Sequence, residues 1–419
     1  MMKSSTLRFD LQTVAEASWL LLCVLLPISG GLVPVPLAIA IILCAVIGIR
    51  RIGEFSWRRL WPLYAYYALH VIGLAWSTDI DFGLFDVQIK AGLVLLPFAG
   101  WAVGEARTDI LRRTMIAFTS GMVVSIALGV IKAMACYAAD GQMNCFSQST
   151  LSYQLHPSYA AWYGCWVVGY WGYVLIRGDL EQRWLRRILL FVLPVIVLFT
   201  TMLASKSGMI GLGLLLVVLI WTTFVRLRGS VRRLVLAFTG LLVLAALWTQ
   251  GPLMRARVEV AFEAFQKGLD GDDGILFSDE GSAMRMVAWS CSVDRMMLEP
   301  FGSGTGDIKH ALMQCYTDKG AVEAAKRNLN SHSQFLQSGV ALGWLGMILL
   351  VLLVAVALAL AVNSRSVPLA VFVLLFVVNA LVESVLEVQA GVVFFALFIG
   401  LLISERTSQT EDHSKEGRV

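Results

Sequence analysis

Charge is scarce in this chain of 419 residues: 15% of the side chains are Asp, Glu, Lys or Arg, 58% are hydrophobic, and the mean hydropathy is +0.74. A soluble globular protein carries about a quarter charged residues, so that class is excluded and most of the surface must face lipid. Leu189 to Ala204, Leu234 to Trp248 and Met347 to Val362 contain no ionisable side chain, and each approaches or reaches the ~20 residues that cross a bilayer as helix. The polar and apolar alternation of a membrane β-barrel is also missing, which leaves helices as the spanning form. No small-x-small cleavage site follows the first apolar stretch, Val14 to Gly31; the Ala15-Glu16-Ala17 triplet lies at its front, so it reads as a retained span. There is no internal repeat and no zinc-ligand spacing. The glycines of Gly302-Ser-Gly304-Thr-Gly306 follow no strand and make no dinucleotide fingerprint.

The hydrophobic runs predict an all-α polytopic integral membrane protein with about twelve transmembrane helices and one helical periplasmic loop domain. Spans are expected near 14–31, 32–49, 60–76, 91–105, 114–137, 158–176, 188–204, 208–225, 234–250, 334–362, 367–382 and 389–404. Short loops on one side collect Arg50, Arg51, Arg58 and Arg59, then Arg107, Arg112 and Arg113, then Arg177, Arg183, Arg186 and Arg187, then Arg226, Arg228, Arg232 and Arg233. Lys/Arg counting over short loops sets orientation, so this side and both termini are expected to be cytoplasmic. The net charge of +4 is thereby sorted by membrane side, and no nucleic-acid partner is called for. The division is then 1–250 for nine spans, 251–333 for a large outer loop, 334–404 for three more spans and 405–419 for a cytoplasmic tail.

Within the outer loop, Met254, Val258, Ala261, Phe262 and Phe265 recur at helical spacing. Such a stretch lies along the membrane surface or packs as a short helix on the loop's own core. Asp270, Asp272, Asp273, Asp279 and Glu280 follow as a solvated acidic link without metal-ligand spacing. Cys23, Cys44 and Cys165 fall inside spans. Cys136, Cys145, Cys291 and Cys315 fall on or near the outer side, where an oxidising compartment permits disulfides. Cys136–Cys145 with Cys291–Cys315 is the simplest of three pairings, and free thiols are the alternative.

Candidate chemistry gathers on the same side. Asn330 or Ser331 is positioned to cap the tenth span, which puts His332 in its first turn. A helix N-terminus favours the neutral imidazole, available as a base; a polar residue marking the interface is the alternative. Arg285 stands near the start of an apolar-faced helix and has the geometry for paired bonds to phosphate oxygens. Lys206, in the break Ser205-Lys-Ser-Gly208, either snorkels or binds an anion. His156 sits at the outer end of the sixth span, Glu383 and Glu387 are one helical turn apart between the last two spans and meet a basic group or a sugar hydroxyl, and His70 reads as a packed core residue.

In order and spacing these pieces resemble the O-antigen ligase and polymerase superfamily of membrane glycosyltransferases. The resemblance rests on the many spans, Ala75-Trp-Ser77, the Ser-basic-Ser-Gly turn, one large outer loop, the Arg285…Trp289…Glu299-Pro-Phe-Gly-Ser-Gly304 stretch, and His332 leading into Gly343-Trp-Leu-Gly346. Lys206 stands where the family usually has Arg, which keeps charge but loses the bidentate fork; Ser333 and Leu342 stand where Asn and Glu are frequent. The resemblance implies a donor polysaccharide on undecaprenyl diphosphate, a lipid A-core acceptor, a periplasmic site in a Gram-negative inner membrane, and no cofactor, metal or nucleotide. It further implies His332 as general base, with Arg285 and Lys206 on the diphosphate. A polymerase shares the donor chemistry; the single moderate outer loop favours a ligase. A lipid-linked oligosaccharide flippase is the reading from another class, disfavoured because only His70 stands out among polar residues within a span.

Overall fold

The computed structural model describes residues 3–55, 57–104, 109–230, 232–233, 237, 240, 259 and 281–416, and among them there is no β-strand. The helices are α1 (Lys3–Leu25), α2 (Pro34–Gly48), α3 (Trp61–Gly73), α4 (Ile80–Lys90), α5 (Gly92–Gly104), α6 (Ile110–Asp140), α7 (Gln148–Leu151), α8 (Pro157–Arg177), α9 (Arg183–Met202) and α10 (Lys206–Arg226). After the gap come α11 (Gly281–Leu298), α12 (Ile308–Asp318), α13 (Val322–Lys326), α14 (Gln334–Asn363), α15 (Val367–Val382) and α16 (Gln389–Glu416).

Among the described residues, six helical stretches are long and apolar enough to cross a membrane: Pro34–Glu54, Ile80–Gly104, Ile110–Asp140, Arg183–Met202, Lys206–Arg226 and Gln334–Asn363. Leu11–Leu25, Val367–Val382 and Gln389–Ser404 are shorter apolar helices. The protein is an all-α polytopic membrane protein. The expected spans outside 234–250 each overlap a helix; most of that ninth span, most of the 254–265 stretch and the acidic link lie outside the described residues. One start moves substantially. Helix continues from Ile80 through Lys90, and Ala91 barely interrupts it before α5, so the fourth hydrophobic segment begins eleven residues ahead of where its apolar run does.

Aromatic packing forms the centre. Trp162, Tyr163, Trp166 and Trp171 of α8 are fully buried, and they interleave with Phe118 of α6, Phe372 and Phe376 of α15, and Phe394 and Phe398 of α16. Tyr163 stacks on Phe394 with centroids 4.3 Å apart, and Trp166 meets Phe372 edge-on at 4.9 Å. Offset and edge-on geometries are those the ring quadrupole favours. Small residues permit close backbone approach, as in many membrane bundles: a Cβ on Gly121 of α6 would fall 2.0 Å from the Val24 carbonyl oxygen of α1.

Residues 281–329 form a second core, in which Val287, Ala288 and Cys291 of α11 meet Ile308, Leu312 and Tyr316 of α12 and Val340, Ala341 and Leu342 of α14. Disulfides join Cys291 to Cys315 and Cys136 to Cys145, the simplest pairing read from the sequence. Cys23, Cys44 and Cys165 are buried and free.

The glycine-rich loop serves this assembly. Gly343 breaks α14 with φ +67°, which frees the Val340 and Ala341 carbonyls. The Ser303 and Gly304 amides fill them at 2.9 and 3.0 Å, while Trp344 donates to the Pro300 carbonyl at 3.1 Å. Buried backbone groups must find partners, and here two irregular segments satisfy one another. A Cβ on Gly343 would stand 1.9 Å from the Pro300 oxygen. The loop then docks on Ser77-Thr-Asp79. The Gly306 amide donates to Ser77 Oγ at 2.9 Å, and the Asp307 carboxylate accepts from the Thr78 amide and hydroxyl and the Asp79 amide at 2.6 to 2.9 Å. Partial burial pushes the Asp307 carboxyl up, but these donors outweigh it and hold it below the ordinary value.

Candidate active site

The site is built around Glu383, the first residue past α15, whose backbone is extended and whose side chain is 11% exposed. One oxygen, Oε1, accepts from Arg285 Nη2 at 2.8 Å and from Ser158 Oγ at 3.3 Å. The other, Oε2, lies 3.4 Å from His332 Nδ1. Burial pushes the Glu383 carboxyl up; the His332 hydrogen bond and the Arg285 guanidinium prevail and hold it below the usual glutamate value.

His332 does not sit in the first helical turn as the capping pattern suggested. α14 starts at Gln334 with Ser333 at its N-cap, and neither Asn330 nor Ser331 caps it. His332 instead adopts φ +43°, a strained left-handed conformation for a residue with a Cβ. Asn330 Oδ1 accepts from the His332 amide at 2.9 Å, and the Gln337 side chain reaches back to the Ser331 amide at 3.0 Å. Trp289 donates to the His332 carbonyl at 3.3 Å. These bonds turn the imidazole toward Glu383.

Lys206 begins α10, where Ser205 Oγ accepts from the Gly208 amide at 3.4 Å. Its ammonium donates to Ser282 Oγ. Ser282 lies three residues before Arg285 on α11, hence on the same face, so both cations attend the same helix end. The break at 205 thus does not leave Lys206 isolated. His156 caps α8 by accepting from the Ser158 amide at 3.4 Å, which places it beside the hydroxyl that serves Glu383.

Glu383 and Glu387 do not share a helical face, because α15 ends at Val382 and the chain turns. Glu387 points inward, 2.9 Å from Lys90 Nζ and 2.9 Å from Gln334 Nε2. Gln334 Oε1 also accepts from the Leu386 amide at 2.6 Å. Lys90, with no exposed side-chain surface, pairs again with Asp86 at 2.5 Å. Sequence reasoning missed Lys90, Asp86, Gln334 and Ser158. The signal for the first two was an acid four residues ahead of a base in the helix leading into an apolar run. His70 is, as expected, buried, with Nδ1 3.0 Å from the Tyr66 carbonyl. Cys136, Asp140 and Cys145 are close enough to share an ion, but both sulfurs are committed to the disulfide.

Two cations, an imidazole and a carboxylate are thus brought together from four separated segments at the ends of membrane helices, an arrangement with the groups to bind an anion and to move a proton. Residues 189–351 match the O-antigen ligase family, so this part of the chain carries an O-antigen ligase domain, of the kind found in the O-antigen ligase/polymerase superfamily. The match holds Lys206, Arg285 and His332 and leaves Glu383 outside. No curated protein matches the chain.

Proposed function

We propose that this protein is an O-antigen ligase, moving polysaccharide from undecaprenyl diphosphate to a sugar hydroxyl of lipid A-core at the periplasmic face of the inner membrane. The observation that carries the reading is the shared carboxylate: Glu383 touches Arg285 with one oxygen and His332 with the other. With the Nδ1 hydrogen directed to Glu383, Nε2 is left to accept a proton. The acceptor oxygen attacks the anomeric carbon, its proton passes to Nε2 of His332, and the bond to the diphosphate oxygen breaks with the electron pair leaving on the diphosphate. Positioned general bases contribute on the order of 10²–10⁴-fold. Arg285 commits one nitrogen to Glu383, and its Nε is buried without a partner. A guanidinium has five N–H donors, so donors remain for phosphate oxygens, with Lys206, bonded to Ser282 one turn before Arg285, to offset departing charge. Single displacement inverts the anomeric centre.

The test is reconstitution of purified protein with lipid-linked O-antigen and rough lipopolysaccharide. His332→Ala is expected to slow transfer by about 10²–10⁴-fold, and Arg285→Ala to weaken donor use; wild-type turnover by His332→Ala, or retained anomeric configuration, overturns the mechanism. A polymerase is told apart in cells, where loss of a ligase leaves long polymer on the carrier lipid and loss of a polymerase leaves single repeats on core.

A further inference from the structure

α11 carries Arg285 near one end and an uncovered apolar patch at the other. Phe301 is 84% exposed, Leu298 71% and Met297 67%, and Val293 lies one turn before Met297. The charges among them are paired within the protein: Asp294 with Lys319 and Arg295 with Glu299, each at 2.5 Å. Asp318 of α12 is exposed and borders the patch beside Met297 and Leu298. Its position is set by the break in α14. Pro300 and Phe301 pack on Gly343, where an added Cβ would meet the Phe301 Cα at 2.6 Å. Trp344, whose amide bonds Pro300, is followed by Leu345 and Ile348, also exposed, at the start of the most apolar stretch of α14. A tryptophan at the mouth of a span marks the level where headgroups meet acyl chains.

We propose that the end of α11 and Phe301 insert into the bilayer interface as an extension of the lipid-facing surface of α14. The occupant is lipid because the patch continues through Phe301 and Trp344 into a helix face that a membrane already covers, and an exposed apolar patch of this kind in water would demand a partner. Thirteen residues of helix at 1.5 Å each separate Arg285 from Leu298, about 20 Å. A helix pinned to the bilayer at its far end holds Arg285 at a fixed position over the membrane. On the proposed function, that is where a lipid diphosphate lies; the lipid contact itself stands or falls without that reading.

The experiment places an environment-sensitive fluorophore on Phe301→Cys and, separately, Met297→Cys in nanodiscs, with Ile348→Cys as the lipid-facing control and Lys326→Cys as the aqueous one. Unsubstituted protein, whose free cysteines are buried, gives the labelling background. Quenching by doxyl-labelled lipid and protection from iodide should match the Ile348 control, with at least a threefold difference from Lys326. Iodide quenching equal to that at Lys326 overturns the proposal. So does shielding from both quenchers, or disulfide cross-linking between two copies of the unlabelled Phe301→Cys variant, either of which would make the patch a protein interface. The Met297 label keeps the test open if the Phe301 variant misfolds.

Discussion

Replacing Lys90 with methionine isolates the energetic value of the buried cluster beneath Glu383. Methionine fills a similar length of cavity but donates no hydrogen bond. The substitution strips the only cation within salt-bridge distance, among the described residues, from Asp86 and Glu387, which are 3% and 13% exposed. Asp86 Oδ2 already has no hydrogen-bond partner, so nothing nearby is poised to take over. Removing one member of a buried ion pair costs about 3–5 kcal/mol, because the other charge stays behind without compensation. Neutralising the whole cluster should cost far less, since neutral groups of the same shape often replace buried ion pairs with little loss. Lys90→Met is therefore expected to lose about 3–5 kcal/mol, and Lys90→Met/Asp86→Asn/Glu387→Gln to recover most of it. Reversible unfolding in mixed micelles, by denaturing-detergent titration or steric trapping, reads both. A single variant within about 1 kcal/mol of wild type, the range of exposed pairs, or a triple variant no better than the single, would refute this account of the cluster.

Other consequences are open to measurement. Gly343→Ala puts a Cβ 1.9 Å from the Pro300 oxygen at φ +67°, so it should displace the 299–306 loop and lower the melting temperature; an unchanged melting curve would contradict the mutual docking of loop and helix break. Reducing Cys291–Cys315, whose cysteines are 24 residues apart, should cost roughly 3 kcal/mol by chain-entropy reasoning, read as a lower melting temperature for Cys291→Ser/Cys315→Ser. Asp307 is held below its ordinary value in the folded protein. Its stabilising contribution is thus complete above the unfolded carboxyl value, near pH 4, and is lost as pH falls through the depressed folded value. Asp307→Asn should be less stable than wild type at neutral pH, with the gap closing under acid; a pH-independent gap would remove the carboxylate from the account.

Much of this architecture is legible in the sequence because hydrophobic length is a local property. The apolar runs at 347–362 and 189–204 announce α14 and α9 without knowledge of neighbours, and the side of the membrane the four outer cysteines share permits disulfides, of which the observed pairing is the simplest of three. The failures concern side chains whose meaning depends on distant partners. Lys90 is an ordinary interfacial cation until Glu387, almost three hundred residues later, is seen to lie 2.9 Å away. Asn330 and Ser331 are good capping residues, yet Gln337 claims the Ser331 amide and the helix starts later. The glycines at 302, 304 and 306 are explained by close contact with Ala341, Ser77 and Asp79, none of them adjacent in sequence.

The buried charges also bear on the choice between an enzyme and a transporter. Sequence reasoning disfavoured a transporter because only His70 stood out within a span, and Lys90 with Asp86 removes that argument as it was framed. A better one replaces it. Charges that line a transport path must exchange partners with water or cargo, whereas Lys90 has no exposed surface and commits its ammonium to Asp86 and Glu387. Glu387 is tied in turn to Gln334, which grips the Leu386 backbone as well. Gln334 follows His332 by two residues, and Leu386 and Glu387 follow Glu383 by three and four. The cluster therefore ties together the two segments whose separation fixes the His332 to Glu383 contact. Buried charges used this way hold an imidazole against a carboxylate, which a reaction site requires and a permeation path does not.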